Sequence, residues 1–117
     1  MLKKENRIRK DKEFDRVFKA GLSFYGKDLG FKLAKNTLGL SRFGILINTK
    51  VSKKAVVRNK IRRQIRAIIE KKLPDIDKGG DLVIIVFPLI LDKNFQEIEK
   101  IILSGLSRLK IYRETKI

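Results

Sequence analysis

The chain has 117 residues, of which 43% are hydrophobic, and its 29 lysines and arginines face 13 aspartates and glutamates for a formal charge of +16. Cysteine and histidine are both absent, which excludes disulfide frameworks, thiolate nucleophiles, Cys/His zinc sites and imidazole acid–base chemistry. The length suits a single folded domain over residues 1–117, and a charge surplus of this size calls for a polyanionic partner.

In chain order, Asp11 is placed to cap a short helix over about 11–20, with Phe14, Val17 and Phe18 at helical spacing and Gly21 as a left-handed stop. Residues 23–34 mix aromatic and aliphatic with polar side chains. Asn36 to Ser41 then reads as a turn before Arg42 to Asn48, which predicts two antiparallel strands, or three. From Lys50 to Lys72 the period becomes helical and ends before Leu73-Pro74. Asp75 to Gly80 is a polar loop; the clustered acids Asp75, Asp77 and Asp81 fit a solubilising role better than a magnesium site. The Val/Ile-rich run Leu82 to Phe87 predicts a central buried strand. Asp92 offers an N-cap for a last helix with Phe95, Ile98, Ile101, Ile102, Leu106 and Leu109 as its apolar stripe. The pattern is α+β: a sheet of about four strands packed with three helices, ordered helix, strands, helix, strand, helix. The longest apolar run, Leu82 to Leu91, is interrupted by Pro88 and too short for a bilayer, and the charged N-terminus lacks a signal-peptide segment, so a cytoplasmic protein is expected.

The charge is lopsided. Residues 1–72 hold 22 basic and 6 acidic side chains, whereas residues 73–117 hold 7 of each. Lys50 to Lys72 alone carries ten basic residues and one acid, Glu70. On the predicted middle helix Val57, Ile61, Ile65 and Ile68 share one side, with Ile69 at its margin. Arg58, Arg62 and Arg66 follow at four-residue steps on an opposing face, flanked by Asn59 and Arg63. Like charges at this spacing cost a few tenths of a kcal/mol per pair, so folding alone does not favour them. Guanidinium forks suit phosphate oxygens and stack on unpaired bases, which points to RNA.

The segment Lys53-Lys54-Ala55-Val56-Val57-Arg58-Asn59-Lys60-Ile61-Arg62-Arg63-Gln64-Ile65-Arg66 resembles the signature of bacterial ribonuclease P proteins. Glu13-Phe14-Asp15-Arg16-Val17-Phe18-Lys19-Ala20-Gly21 and Arg42-Phe43-Gly44-Ile45 resemble that family's first helix and the strand leading to its basic helix. Where the family pattern often has two basic residues, this chain has Thr49-Lys50. The resemblance implies a ribosomal-protein-like fold with a left-handed βαβ crossover, whereas pattern reasoning alone gives the right-handed one. It implies a subunit that assists a catalytic RNA, which itself requires Mg2+, in removing the 5′ leader of precursor tRNA; no catalytic residue, metal ligand or obligate protein partner is expected of the chain. By this resemblance Lys50, Lys53, Lys54, Arg58, Asn59, Lys60, Arg62, Arg63 and Arg66 contact RNA. Phe14 and Phe18, with Phe31 or Lys32 from the first long strand, line a leader-binding cleft between the basic helix and the sheet. Positions 31 and 32 point to opposite faces. Charge and size alone also allow a ribosomal-type structural RNA-binding protein. A membrane-surface module fits least, since it leaves the central strand and the last helix without a face to bury.

Overall fold

A computed structural model describes residues 2–19 and 21–112. Helix α1 spans Asp11–Lys19. Asp11 is its first helical residue and not its cap. The Glu13 carboxylate instead reaches back to accept the N–H groups of Arg9 (3.3 Å) and Lys10 (3.2 Å), satisfying donors that the first turn leaves open. Ala20 lies outside the described residues. At Gly21 φ is +151°, and a Cβ there would sit 2.2 Å from the Leu33 carbonyl oxygen, so only glycine fits the exit from α1.

Strands β1 (Leu22–Tyr25), β2 (Leu29–Lys35), β3 (Arg42–Leu46) and β4 (Gly80–Val86) form one sheet in the order β1-β2-β4-β3. β1 and β2 pair antiparallel, as do β2 and β4, whereas β3 runs parallel to β4. The Asn36–Ser41 turn therefore joins strands that are not neighbours: β4 inserts between β2 and β3, which makes the Val/Ile-rich run internal as expected. Helix α2 (Ala55–Lys72) makes the crossover from β3 to β4. It begins five residues later than its charge pattern suggests. The Asn48 side chain accepts the Lys50 N–H at 2.9 Å, the Ser52 hydroxyl accepts the Lys54 N–H at 3.2 Å, and Val51 is buried between them. These local bonds hold 50–54 as turns.

Helix α3 spans Phe95–Arg108. Its cap is Asn94 and not Asp92, which ends a short 3₁₀ turn over Pro88–Asp92. Asn94 accepts the Glu97 N–H at 2.9 Å and Glu97 accepts the Asn94 N–H at 3.0 Å, a reciprocal capping box.

The sheet is covered on both sides. Leu29 and Phe31 face one layer with their partners Val86 and Ile84, packed against Ile61, Ile65, Ile68 and Ile69 of α2 and Ile98, Ile102 and Leu106 of α3. Gly105 makes this contact possible, since a Cβ there would meet the Phe31 ring at 2.3 Å. The alternate residues Ala34 and Val83 face the other layer, where Ile8, Val17 and half-buried Phe14 cover part of the sheet. Gly44 admits the Phe14 ring, which a Cβ would meet at 2.5 Å.

Candidate nucleic-acid interface

The four buried isoleucines of α2 fix the helix on the sheet, each worth about 1.5–3 kcal/mol of burial. That ridge outweighs the few tenths of a kcal/mol of like-charge repulsion per arginine pair. The helix can therefore carry its arginine row without internal neutralisation. Asn59, Lys60 and Arg63 are exposed, and Arg58, Arg62 and Arg66 are half-buried. Arg58 donates to the Ser52 carbonyl at 2.8 Å and so ties the preceding loop to the helix, while Arg62 donates to the Asn59 side chain at 2.8 Å. Burial, then the nearby charges of Arg7 and Arg62, push the Arg66 guanidinium below the ordinary arginine range. Lys50, Lys53 and Lys54 are exposed in the loop before α2 and extend the same basic surface. The ion pairs found among the described residues engage Arg16, Arg42 and Lys71, none of which belongs to the arginine row.

The exposed ring expected in the cleft, Phe18, does not lie between the basic helix and the sheet. α2 packs its isoleucines on the Phe31 side of the sheet, and the α1 side carries the accessible rings. Phe31 is 1% exposed, stacks on Phe24 at 6.2 Å and presses on Gly105, so it has no surface to offer a ligand. Lys32 points the other way, its ammonium 5.3 Å from the centre of the Phe18 ring. Phe18 is 37% exposed; Phe14 is half-buried on Gly44 and serves as much to seat α1 as to line the cleft. Beyond α1 the same face continues through half-buried Leu46, Ile85 and Phe87.

One feature was not anticipated from sequence. Asp81 is fully buried at the start of β4 and is no part of a solubilising loop. Arg42 grips it with two hydrogen bonds, Nε to Oδ1 at 2.9 Å and Nη2 to Oδ2 at 2.6 Å. Asn36 donates to it at 2.8 Å, and Arg16 of α1 pairs with it while also donating to the Lys35 carbonyl at 2.9 Å. Arg42 bridges onward to Glu13. Burial pushes the Asp81 carboxyl up, but the bonds from Arg42, Asn36 and Arg16 outweigh it and hold the group below the usual carboxylate range. The Arg42 guanidinium is correspondingly raised, chiefly by Asp81. The network fastens α1 to β3, β4 and the turn after β2. Arg7, beside Arg66, was also missed; its Nε is buried without a hydrogen-bond partner. Among the described residues no group of three or more His, Cys, Asp or Glu side chains could hold a metal ion, and no helix is long and apolar enough to cross a membrane.

A mixed sheet with a βαβ crossover, an arginine-rich helix and an opposite face with accessible aromatic rings define an α+β protein of the RNA-binding kind. The ribonuclease P family model matches residues 2–110, and the chain belongs to that family. A ribonuclease P protein component of Clostridium botulinum (strain 657 / Type Ba4) is 38% identical over 110 residues, 93% of this chain and 98% of that one. Another from Microcystis aeruginosa is 39% identical over 95 residues, 78% and 79% of the two chains. Among solved structures, a Staphylococcus aureus RNase P protein mutant described as defective in mRNA degradation superposes with a TM-score of 0.87 at 27% identity, covering 93% of this chain and 92% of its own. The RNase P protein of Thermotoga maritima gives 0.80 at 30% identity over 87% and 96%. The order of elements and the crossover, left-handed as the resemblance implied, are consistent with these structures.

Proposed function

We propose that this chain is the protein subunit of ribonuclease P, acting in the cytoplasm as one RNA-binding domain that helps a catalytic RNA remove the 5′ leader from precursor tRNA. The observation that carries this reading is the arginine row of α2, held by a buried isoleucine ridge and, among the described residues, outside the ion pairs that engage Arg16, Arg42 and Lys71. Lys50, Lys53, Lys54, Arg58, Asn59, Lys60, Arg62, Arg63 and Arg66 bind the RNA subunit, the precursor, or both. Phe18 and Lys32, with Phe14 behind them, meet the single-stranded leader on the α1 face. Phe31 is withdrawn from this set by its burial.

On this reading bond cleavage belongs to the RNA and to the Mg2+ it binds. The protein neutralises phosphates that would otherwise repel one another, and it adds stacking worth about 1–3 kcal/mol per leader base. Both effects act on binding more than on the chemical step.

Cleavage of precursor tRNA by the RNA subunit, measured with and without this protein across a Mg2+ titration, tests the reading. The protein alone cleaves nothing; added to the RNA it lowers the Mg2+ required and favours precursor over mature tRNA. Precursor cleavage indifferent to added protein refutes the assignment. Sequencing the RNA captured with the protein from its own lysate separates this from a ribosomal role, which returns ribosomal RNA.

A further inference from the structure

Lys32 is shared between two rings. Its ammonium lies 5.3 Å from the Phe18 centre and 5.9 Å from the Tyr25 centre, so the ring centres are at most about 11 Å apart. The two rings come from different elements, α1 and the edge strand β1. No carboxylate among the described residues forms an ion pair with Lys32, and the positive charge stays available to an anion entering between the rings.

Tyr25 is 54% exposed at the end of β1, paired with Gly30 of β2. Gly30 is buried, and a Cβ there would come within 2.7 Å of Tyr25 Cδ1 and 3.2 Å of Phe87 Cζ. The glycine is needed for space: it lets the tyrosine lie down on the sheet beside Phe87, backed by protein on one side and open to solvent on the other. A large ring so exposed adds little to the core, yet it is held in a fixed place on the same face as Phe18.

We propose that Tyr25 is a second stacking surface of the leader site, so that two consecutive unpaired nucleotides set one base on Phe18 and the next on Tyr25 with their connecting phosphodiester at Lys32. The inference rests on the leader-binding reading above. An aromatic face accepts any base, and a lysine is a compact point charge suited to a single phosphate. The arrangement recognises single-stranded RNA by its repeating base and phosphate spacing and not by base identity.

The test uses holoenzyme reconstituted from the full chain and its RNA subunit, and measures affinity for precursor tRNA whose leader is lengthened one nucleotide at a time or carries single abasic positions. Tyr25→Ala weakens binding of a full leader about five-fold or more, the equivalent of one lost stack, and leaves leaderless tRNA and the thermal midpoint unchanged. Tyr25→Phe retains the affinity. One abasic leader position abolishes the effect of Tyr25→Ala, and an adjacent abasic position abolishes that of Phe18→Ala. Undiminished leader affinity in Tyr25→Ala, an equal loss with leaderless tRNA, or effects that map to non-adjacent nucleotides overturn the inference. If Phe18→Ala alone keeps a leader-specific loss, the leader site stands without Tyr25; if neither variant discriminates the leader, the leader-site reading itself falls.

Discussion

Replacing Arg42 with methionine removes the centre of the network between α1 and the sheet at nearly constant volume. Arg42 supplies two of the hydrogen bonds to fully buried Asp81 and the link to Glu13, and its own side chain is only 15% exposed. After substitution Asp81 keeps Asn36 and Arg16, the latter 43% exposed and so well screened by solvent. Breaking a buried pair by deleting one partner costs about 3–5 kcal/mol, and the two surviving donors place this case near about 3 kcal/mol. For a domain of this size that lowers the thermal midpoint by roughly 10–20 °C. Urea unfolding followed by far-UV circular dichroism measures the loss directly, with exposed Arg63→Met as a control expected within about 0.5 kcal/mol of wild type. Acidification gives a second readout. Asp81 has a folded pKa below its unfolded value of about 3.9, so its contribution is fully present above that value and is lost as pH falls through the folded pKa. Arg42→Met depresses Asp81 less, so the stability gap between the two proteins narrows below about pH 4. A loss under about 1 kcal/mol at neutral pH, or a gap that does not change with acid, refutes the assignment of Arg42 as the counter-charge that makes burial of Asp81 tolerable.

Three further outcomes follow from other parts of the structure. Arg66→Met removes a guanidinium disfavoured by burial and by Arg7 and Arg62. The free protein therefore keeps or slightly gains thermal stability, while RNA affinity falls and the slope of log K against log salt becomes shallower by about 0.7–0.9; parallel losses in folding and binding contradict this. Asn94→Ala costs about 1 kcal/mol in urea unfolding through loss of the α3 cap, whereas Asp92→Ala costs almost nothing; the reverse order disproves the capping box. Gly105→Ala drives a methyl group into the Phe31 ring and destabilises by about 1–3 kcal/mol, a value read from the same unfolding curves, and wild-type stability would mean that α3 and β2 can separate freely.

What the sequence disclosed was mostly what short-range periodicity encodes. The isoleucine ridge of α2 and the arginines opposite it recur within a few residues, so both were legible. The start of α2 was obscured because basic residues continue through the turns at 50–54, although Asn48 and Ser52 are the residue types that cap such turns. The cap of α3 was recoverable: Asn94 has Glu97 three residues on, whereas Asp92 has Phe95. Strand order was not recoverable, because nothing within β2 or β3 states that β4 will pass between them. The burial of Asp81 depends on Arg42 and Arg16, 39 and 65 residues away, and without those partners a third aspartate after Asp75 and Asp77 reads as loop. The alternation at Phe31 and Lys32 was visible, but which of the two faces the cleft depends on α1 and α3 taking opposite sides of the sheet.

The arginines divide by the ion pairs they form among the described residues. Glu13 and Asp81 are consumed where α1 meets the sheet, and there each arginine is tied into a network whose loss is felt in folding. The arginine row of α2 spans Arg58 to Arg66, and between Lys50 and Lys72 one acid, Glu70, stands against ten basic residues. Its helix is held instead by four buried isoleucines worth together about 6–12 kcal/mol, far more than the repulsion it tolerates. Apolar burial keeps α2 folded, and its electrostatic repulsion is of the kind that binding of phosphates would relieve. Substitutions at Arg16 or Arg42 should therefore register first in unfolding experiments and substitutions in the α2 row first in salt-dependent RNA binding, a separation that uniform basic coating of the surface would not produce.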